Sequence, residues 1–161
     1  MSADEYGLYY QEKLASAQVY QDFVCEQLHR LGIVLQNMTS KEFQLKRENL
    51  LGLEIKHDQK YAETGRLYIE TAEKAHPDNP RYVRSGIYRE DNSWLYGIGN
   101  YEIFFIFAKN LLRHIDQSAP AWVYRPKKPL PTSIGFCVPD LNARKHAARV
   151  IDFTVKPDLP L

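Results

Sequence analysis

Gly52-Leu53-Glu54-Ile55-Lys56-His57-Asp58 and, after a short polar break, Thr64-Gly65-Arg66-Leu67-Tyr68-Ile69-Glu70 are the two stretches whose reading decides the fold. Polar and apolar residues alternate in both, which is the period of a strand with one face buried. On such a strand Glu54 and Lys56 share one face, and Leu53 and Ile55 the other. The two stretches are expected to pair as a hairpin centred near Ala62. It sets Glu54 opposite Glu70 and Lys56 opposite Tyr68, with facing Cβ atoms about 4.5–5.5 Å apart. Two facing carboxylates repel, and each raises the proton affinity of the other. A divalent cation removes that repulsion, and an oxygen cluster suits Mg²⁺ or Mn²⁺.

Upstream, Leu14, Ala17, Tyr20, Val24, Leu28 and Leu31 recur at three and four residues. That rhythm predicts a helix over 6–31, stopped by Gly32. Ile33 to Leu35 reads as a strand, Thr39 to Glu42 as a turn, and Phe43 to Lys56 as extended chain. Downstream, Trp94–Gly99 and Tyr101–Ala108 read as strands joined through Gly99-Asn100. Asn110 is placed to cap a helix over Leu111–Ile115. Pro120 to Pro131 reads as a surface loop, Ser133–Val138 as a last strand, and Leu141–Ile151 as a helix with Arg144, Lys145 and Arg149 on a basic face. Residues 152–161, with Pro157 and Pro160, read as a loose tail. This order predicts one domain over 1–161 of layered α/β or α+β type, a sheet flanked by helices.

The 161 residues suffice for one hydrophobic core. The aromatic load, 12% of residues, excludes a disordered chain. The longest apolar run, Ile103 to Ala108, is far too short to span a bilayer, so no membrane partner is expected. Cys25 and Cys137 lack the spacing of a zinc site or a disulfide framework and read as buried thiols. The acidic start, Met1-Ser2-Ala3-Asp4-Glu5, lacks a secretory signal's basic and apolar segments, so a cytoplasmic location is expected. Residues 1–80 carry nine Lys/Arg against thirteen Asp/Glu, and residues 81–161 twelve against seven. An acidic half beside a basic half suits a metal site next to a phosphate-binding surface.

Taken alone, a Glu-x-Lys triplet is common and is better explained by a solvated strand face. The second acid at hairpin offset points instead to phosphodiester cleavage, in which acids hold a metal and a lysine neutralises the phosphate or orients water. Glu48-Asn49, Gly52 to Asp58 and Thr64 to Glu70 together resemble the core of the PD-(D/E)xK nuclease superfamily, the restriction-endonuclease-like proteins, whose small phage and bacterial members often have this layout. The resemblance implies a central mixed sheet flanked by helices and Mg²⁺-dependent hydrolysis of DNA. It implies Glu54 and Lys56 as the E-x-K pair, with Glu48 as the upstream acid where the family prefers Asp. The expected catalytic set is Glu48, Glu54, Lys56 and Glu70, and the expected metal ligands are Glu48, Glu54 and Glu70. Along one straight strand Glu48 would stand about 20 Å from Glu54. It joins the site only through a fold or bulge at Asn49–Gly52; otherwise Glu54 and Glu70 form the metal pair. The alternative function is a catalytically inactive nuclease-fold protein that binds nucleic acid or another protein.

Arg125, Lys127 and Lys128 in the Pro-rich loop, with Arg144, Lys145 and Arg149, are the expected DNA-backbone contacts. His57 reads either as a loop histidine or as a phosphate contact. Tyr6, Tyr9 and Tyr10 offer a surface for base stacking, for a homodimer, or for packing on the sheet.

Overall fold

The computed structural model describes residues 3–33, 52–91 and 93–155. Glu48, with the rest of the stretch expected to be extended before Gly52, lies outside the described residues, as do Val34 and Leu35. Helix α1, Ala3–Arg30, is 28 residues long, and Gly32 ends it in the left-handed region at φ 79°. Of its apolar stripe, Tyr20, Val24 and Leu28 are fully buried. Leu14 and Leu31 of the same series are exposed.

The strands form two sheets. In the first, β1 (Leu53–His57), β4 (Leu95–Gly99), β5 (Ile103–Ala108) and β7 (Arg149–Asp152) lie in the order β1-β4-β5-β7. In the second, β3 (Val83–Arg84), β2 (Arg66–Glu73) and β6 (Ser133–Pro139) lie in the order β3-β2-β6. The first sheet is mixed, since β1 runs parallel to β4 while β5 is antiparallel to β4 and β7. The second is antiparallel throughout. With α2 (Tyr61–Thr64), α3 (Lys109–Ser118) and α4 (Asp140–His146), the chain is an α+β domain, as expected.

The expected β1–β2 hairpin does not form. Glu54 stands beside Tyr96 and Lys56 beside Ile98 on β4, while Glu70 pairs with Gly135 on β6. The cause lies between the two strands. Asp58, only 8% exposed, accepts the backbone N–H groups of Lys60 at 3.1 Å and Tyr68 at 2.8 Å. The one-turn helix α2 follows Asp58 and ends on Gly65 at φ 61°. That clamp turns the chain out of the first sheet into the second. β2 also carries a register break between Glu70 and Ala72, a bulge of the kind that re-aims a side chain.

Two further expectations change. α3 begins at Lys109, behind Ala108, so Asn110 lies inside the helix and does not cap it. The helix expected over Leu141–Ile151 ends at His146, and Arg149 sits on β7. There Val150 and Ile151 find an open edge, pairing with Phe105 and Phe104 of β5. β-branched residues favour that surface over the end of a helix. The expected loose tail is therefore ordered at its start. Asp152 belongs to β7, and Phe153 packs edge-on against Phe23 with ring centroids 5.3 Å apart.

The core follows from β5, whose run Ile103–Ala108 is buried on both faces, which leaves no polar alternation. Phe104 joins Tyr20, Val24 and Leu28 of α1, with Leu53 and Ile55 of β1 against them. Phe105 and Phe107 face the other way, with Tyr96 and Ile98 of β4 and Leu67, Ile69, Phe136 and Val138 of the second sheet. Glu54 and Lys56 thus leave β1 on the face turned away from α1. Among the described residues no helix is long and apolar enough to cross a membrane.

A short 3₁₀ turn, Gly86–Tyr88, packs on β2 and opens at φ 53°. A Cβ on Gly86 would collide with the Glu70 carbonyl. Gly86→Ala should therefore lose at least about 2 kcal/mol in urea unfolding, from strain and displacement of β2 together. A loss below about 0.5 kcal/mol, within the range of an unremarkable surface change, would mean that this turn does not pin Glu70.

Candidate functional site

Glu54 and Lys56 project from the same face of β1, as their spacing requires. Glu70 reaches them from the bulge of β2, on the other sheet. Lys56 Nζ lies 3.2 Å from Glu54 Oε1 and 3.5 Å from Glu70 Oε1. The two acids expected to share a site are therefore brought together across the two sheets, with the lysine between them. Glu70 is fixed by two hydroxyls: Ser85 Oγ donates to Oε1 at 2.5 Å, and Ser133 Oγ donates to Oε2 at 3.1 Å. Tyr68 stands behind Ser133, their hydroxyl oxygens 3.1 Å apart.

A second lysine completes the cluster. Lys109 Nζ lies 2.8 Å from Glu54 Oε2, its side chain only 1% exposed. Ser93 Oγ accepts a hydrogen bond from it at 2.5 Å, and Asp91 Oδ1 lies 3.4 Å away. The Lys109–Glu54 contact is an ion pair without hydrogen-bond alignment, since Oε2 is buried and has no directed donor. On the opposite side Arg89 pairs with Glu73 at 2.7 Å and reaches Ser85 Oγ at 3.4 Å. Lys109, Asp91, Ser93, Ser85, Arg89 and Ser133 were not among the expected site residues. Lys109 closes an apolar strand, and Arg89 to Ser93 reads as a solvated polar turn, so neither carries a motif.

Burial favours the neutral form of Glu54, but the Lys56 and Lys109 ammoniums outweigh it and hold the carboxyl below its usual range. Burial likewise favours neutral Lys56, yet Glu54 and Glu70 hold its proton above the ordinary lysine value. This corrects the expectation that facing carboxylates raise each other's proton affinity. For Glu54 that does not happen, because cations stand between and behind the acids. Burial, followed by the same carboxylates, raises the Tyr96 hydroxyl, although Lys56 opposes it.

The remaining expected residues are dispersed. Glu48 lies outside the described residues. Arg125 pairs with Asp116 at 2.8 Å and also donates to its carbonyl at 2.7 Å. Arg144 pairs with Asp140 at 2.8 Å. Lys127, Lys128, Lys145 and Arg149 are exposed and form no ion pair among the described residues. These six cations occupy the 120–131 loop, α4 and β7, so no single helix presents them. His57 is neither a loop residue nor openly exposed. It ends β1 and stacks on Tyr20 with ring centroids 4.1 Å apart. Tyr9 is exposed on α1, and the side chains of Tyr6 and Tyr10 are not among those described.

Compared with family models, with curated proteins and with solved structures, the chain matches none. Among the described residues no three His, Cys, Asp or Glu side chains gather as metal ligands. Glu54 and Glu70 are the two carboxylates that could hold a divalent cation, and each turns one oxygen to the Lys56 ammonium. Mg²⁺ commonly takes one or two carboxylates and completes its shell with water and substrate phosphate.

The acid limb of stability tests this electrostatic arrangement. Glu54 has a lower pKa folded than unfolded, so its contribution is full above the unfolded value, about 4.3, and is lost as pH falls through the folded value. Glu54→Gln should cost about 3 kcal/mol at pH 7, because buried Lys109 loses its shorter ion pair and keeps only Asp91 at 3.4 Å. The gap to wild type should close as the pH falls from about 5 towards 2. A gap constant over that range, in thermal melts at matched salt, would show that Glu54 is not ionised in the folded protein.

Proposed function

We propose that this protein is a metal-dependent nuclease that hydrolyses DNA phosphodiester bonds, with Glu54, Lys56 and Glu70 at its centre. One observation carries the reading: Glu54 Oε1 and Glu70 Oε1, from different sheets, converge on the Lys56 ammonium, at 3.2 and 3.5 Å. The sequence resemblance to PD-(D/E)xK nucleases at Gly52–Glu70 supports the same roles. Glu54 and Glu70 would hold Mg²⁺ or Mn²⁺, with Glu48 as the upstream acid the resemblance adds. A cation held there supplies Lewis-acid activation of water and offsets phosphate charge.

The chain's own groups have separable tasks. Lys56, kept protonated by its two carboxylates, is suited to donate to a phosphate oxygen and unsuited to accept a proton as a general base. Its side chain is 31% exposed, more than Glu54 at 12% or Glu70 at 17%, so it is the member best placed to meet a substrate. Ser85 and Ser133 hold Glu70 in place. Lys127, Lys128, Lys145 and Arg149 are the cations free to meet DNA phosphates, whereas Arg125 and Arg144 already serve internal aspartates. The acids of the centre and these outlying cations correspond to the charge division along the chain.

A second reading, a nucleic-acid-binding or protein-binding module without catalysis, is favoured by one feature. Lys56 already fills the point between the carboxylates, and no third acid faces Lys56 with them among the described residues.

Lys56→Ala separates the two. The variant should fold at a cost of about 1–3 kcal/mol and keep its Mn²⁺ affinity. Cleavage of supercoiled plasmid and of linear and branched oligonucleotides should fall roughly 10²–10³-fold, the usual loss of a preorganised charge. Wild type that cuts none of these substrates with either metal would hand the lead to the binding module. Equal cutting by both proteins would remove Lys56 from the mechanism.

A further inference from the structure

Glu54 uses its two oxygens differently. Oε1 faces Lys56 at 3.2 Å, towards Glu70 and the more open side of the cluster. Oε2 is buried and faces Lys109 at 2.8 Å. We infer that Lys109 is a positioning residue that makes Glu54 a one-oxygen ligand, so that the site takes a small octahedral cation, Mg²⁺ or Mn²⁺, in preference to Ca²⁺. The inference rests on the metal-dependent reading above and adds to it the coordination mode and its cause.

Lys109 is unable to drift from this task. Its ammonium is held by Ser93 Oγ at 2.5 Å and Asp91 Oδ1 at 3.4 Å as well as by Glu54. Its backbone N–H donates to the Trp94 carbonyl at 2.9 Å, which ties the first residue of α3 to the turn that carries Asp91 and Ser93. A lysine at the start of a helix meets the positive end of the helix dipole. An ion pair removed from water is also rarely more stabilising than apolar side chains of the same volume. Packing therefore supplies no reason for a lysine here, whereas aiming a carboxylate does.

The consequence is one of coordination number. Ca²⁺ takes six to eight oxygens at about 2.3–2.6 Å and often grips a carboxylate by both oxygens. Mg²⁺ demands about six at close to 2.0–2.1 Å and is content with one oxygen per carboxylate. Two-oxygen binding by Glu54 would require Oε2, which is turned into the interior against an ammonium. Glu70 is held at both oxygens, Ser85 donating to Oε1 at 2.5 Å and Ser133 to Oε2 at 3.1 Å, so the restriction to one oxygen comes from Glu54.

The test is calorimetric titration of the full chain with MnCl₂ and with CaCl₂, without DNA, for wild type, Lys109→Met and Ser93→Ala. Methionine keeps the length of the side chain and removes its charge, which frees Oε2. Wild type should prefer Mn²⁺. Lys109→Met should narrow that preference roughly tenfold, mainly through tighter Ca²⁺ binding, a change of the size that outer groups of metal sites produce. A lysine that only stabilised the fold would shift both affinities together and leave their ratio intact. Should Lys109→Met fail to fold by circular dichroism, Ser93→Ala decides. It retains the charge but releases one tether, and the ratio should move the same way by about two- to threefold. An unchanged ratio in the variants that fold overturns the role of Lys109 and leaves the nuclease reading standing. Wild type that binds neither cation overturns both.

Discussion

A carboxylate held inside the protein between two ammonium groups is the interaction on which the rest of this structure turns. Burying Glu54 alone would cost several kcal/mol, and burying Lys109 alone as much again. Each finds in the other its shortest counter-charge, with Lys56 and Asp91 in support, and that mutual need fixes the surrounding chain. β1 must lie on β4 so that Glu54 points away from α1. α3 must begin at Lys109, because a later start would carry the ammonium off the cluster. Asp91 and Ser93 must reach Lys109, and the Trp94 carbonyl, accepting the N–H of Lys109, ties that part of the chain to the start of α3. The bulge at Glu70 then brings the second sheet to the open side, where Lys56 links the two layers.

The parts of this fold legible in the sequence are those governed by short-range pattern. Alternation at Leu53–Lys56 and at Leu67–Glu70 gave strands, and the spacing of Tyr20, Val24 and Leu28 gave the buried stripe of a helix. Gly99-Asn100 gave a hairpin, held by Asn100 Oδ1 accepting the N–H groups of Glu102 and Ile103 at 2.9 Å each. Pairing was not legible. The alternation of β1 fits a parallel neighbour forty residues away as well as an antiparallel one next in line. The choice was made by Asp58, whose carboxylate gathers two backbone N–H groups and turns the chain between layers. Val150-Ile151 illustrates the same limit. The basic face of Arg144, Lys145 and Arg149 suggested that the helix ran on to Ile151, but the open edge of β5 offered β-branched residues a better surface.

The candidate site divides along the same line. Glu54, Lys56 and Glu70 were found by spacing, for a partly mistaken reason: the acids meet across two sheets, not across one hairpin. The residues missed, Lys109, Asp91, Ser85, Arg89, Ser93 and Ser133, come from a helix start, the connections around the 3₁₀ turn and a strand end. They are united only by tertiary structure. Nothing local distinguishes Lys109 from a lysine in water, and its meaning lies in being 1% exposed.

Charge balance gives the arrangement its direction. Glu54, Glu70, Glu73 and Asp91 bring four negative charges to the cluster, against three positive ones from Lys56, Lys109 and Arg89. Of the cations, Lys109 is sealed in and Arg89 is bound to Glu73 and Ser85, while Lys56 is the most loosely enclosed of the cluster's lysines. Were Lys56 to turn from the carboxylates to a phosphate, the remaining cluster would carry a net charge of two negatives, four acids against Lys109 and Arg89. A divalent cation neutralises that remainder, and a monovalent one does not. In this chemistry the same lysine would serve in turn as the counter-ion of the resting protein and as the donor to its substrate. The separation of the two lysines, one sealed and one semi-open, is what would let a single cluster do both without unfolding.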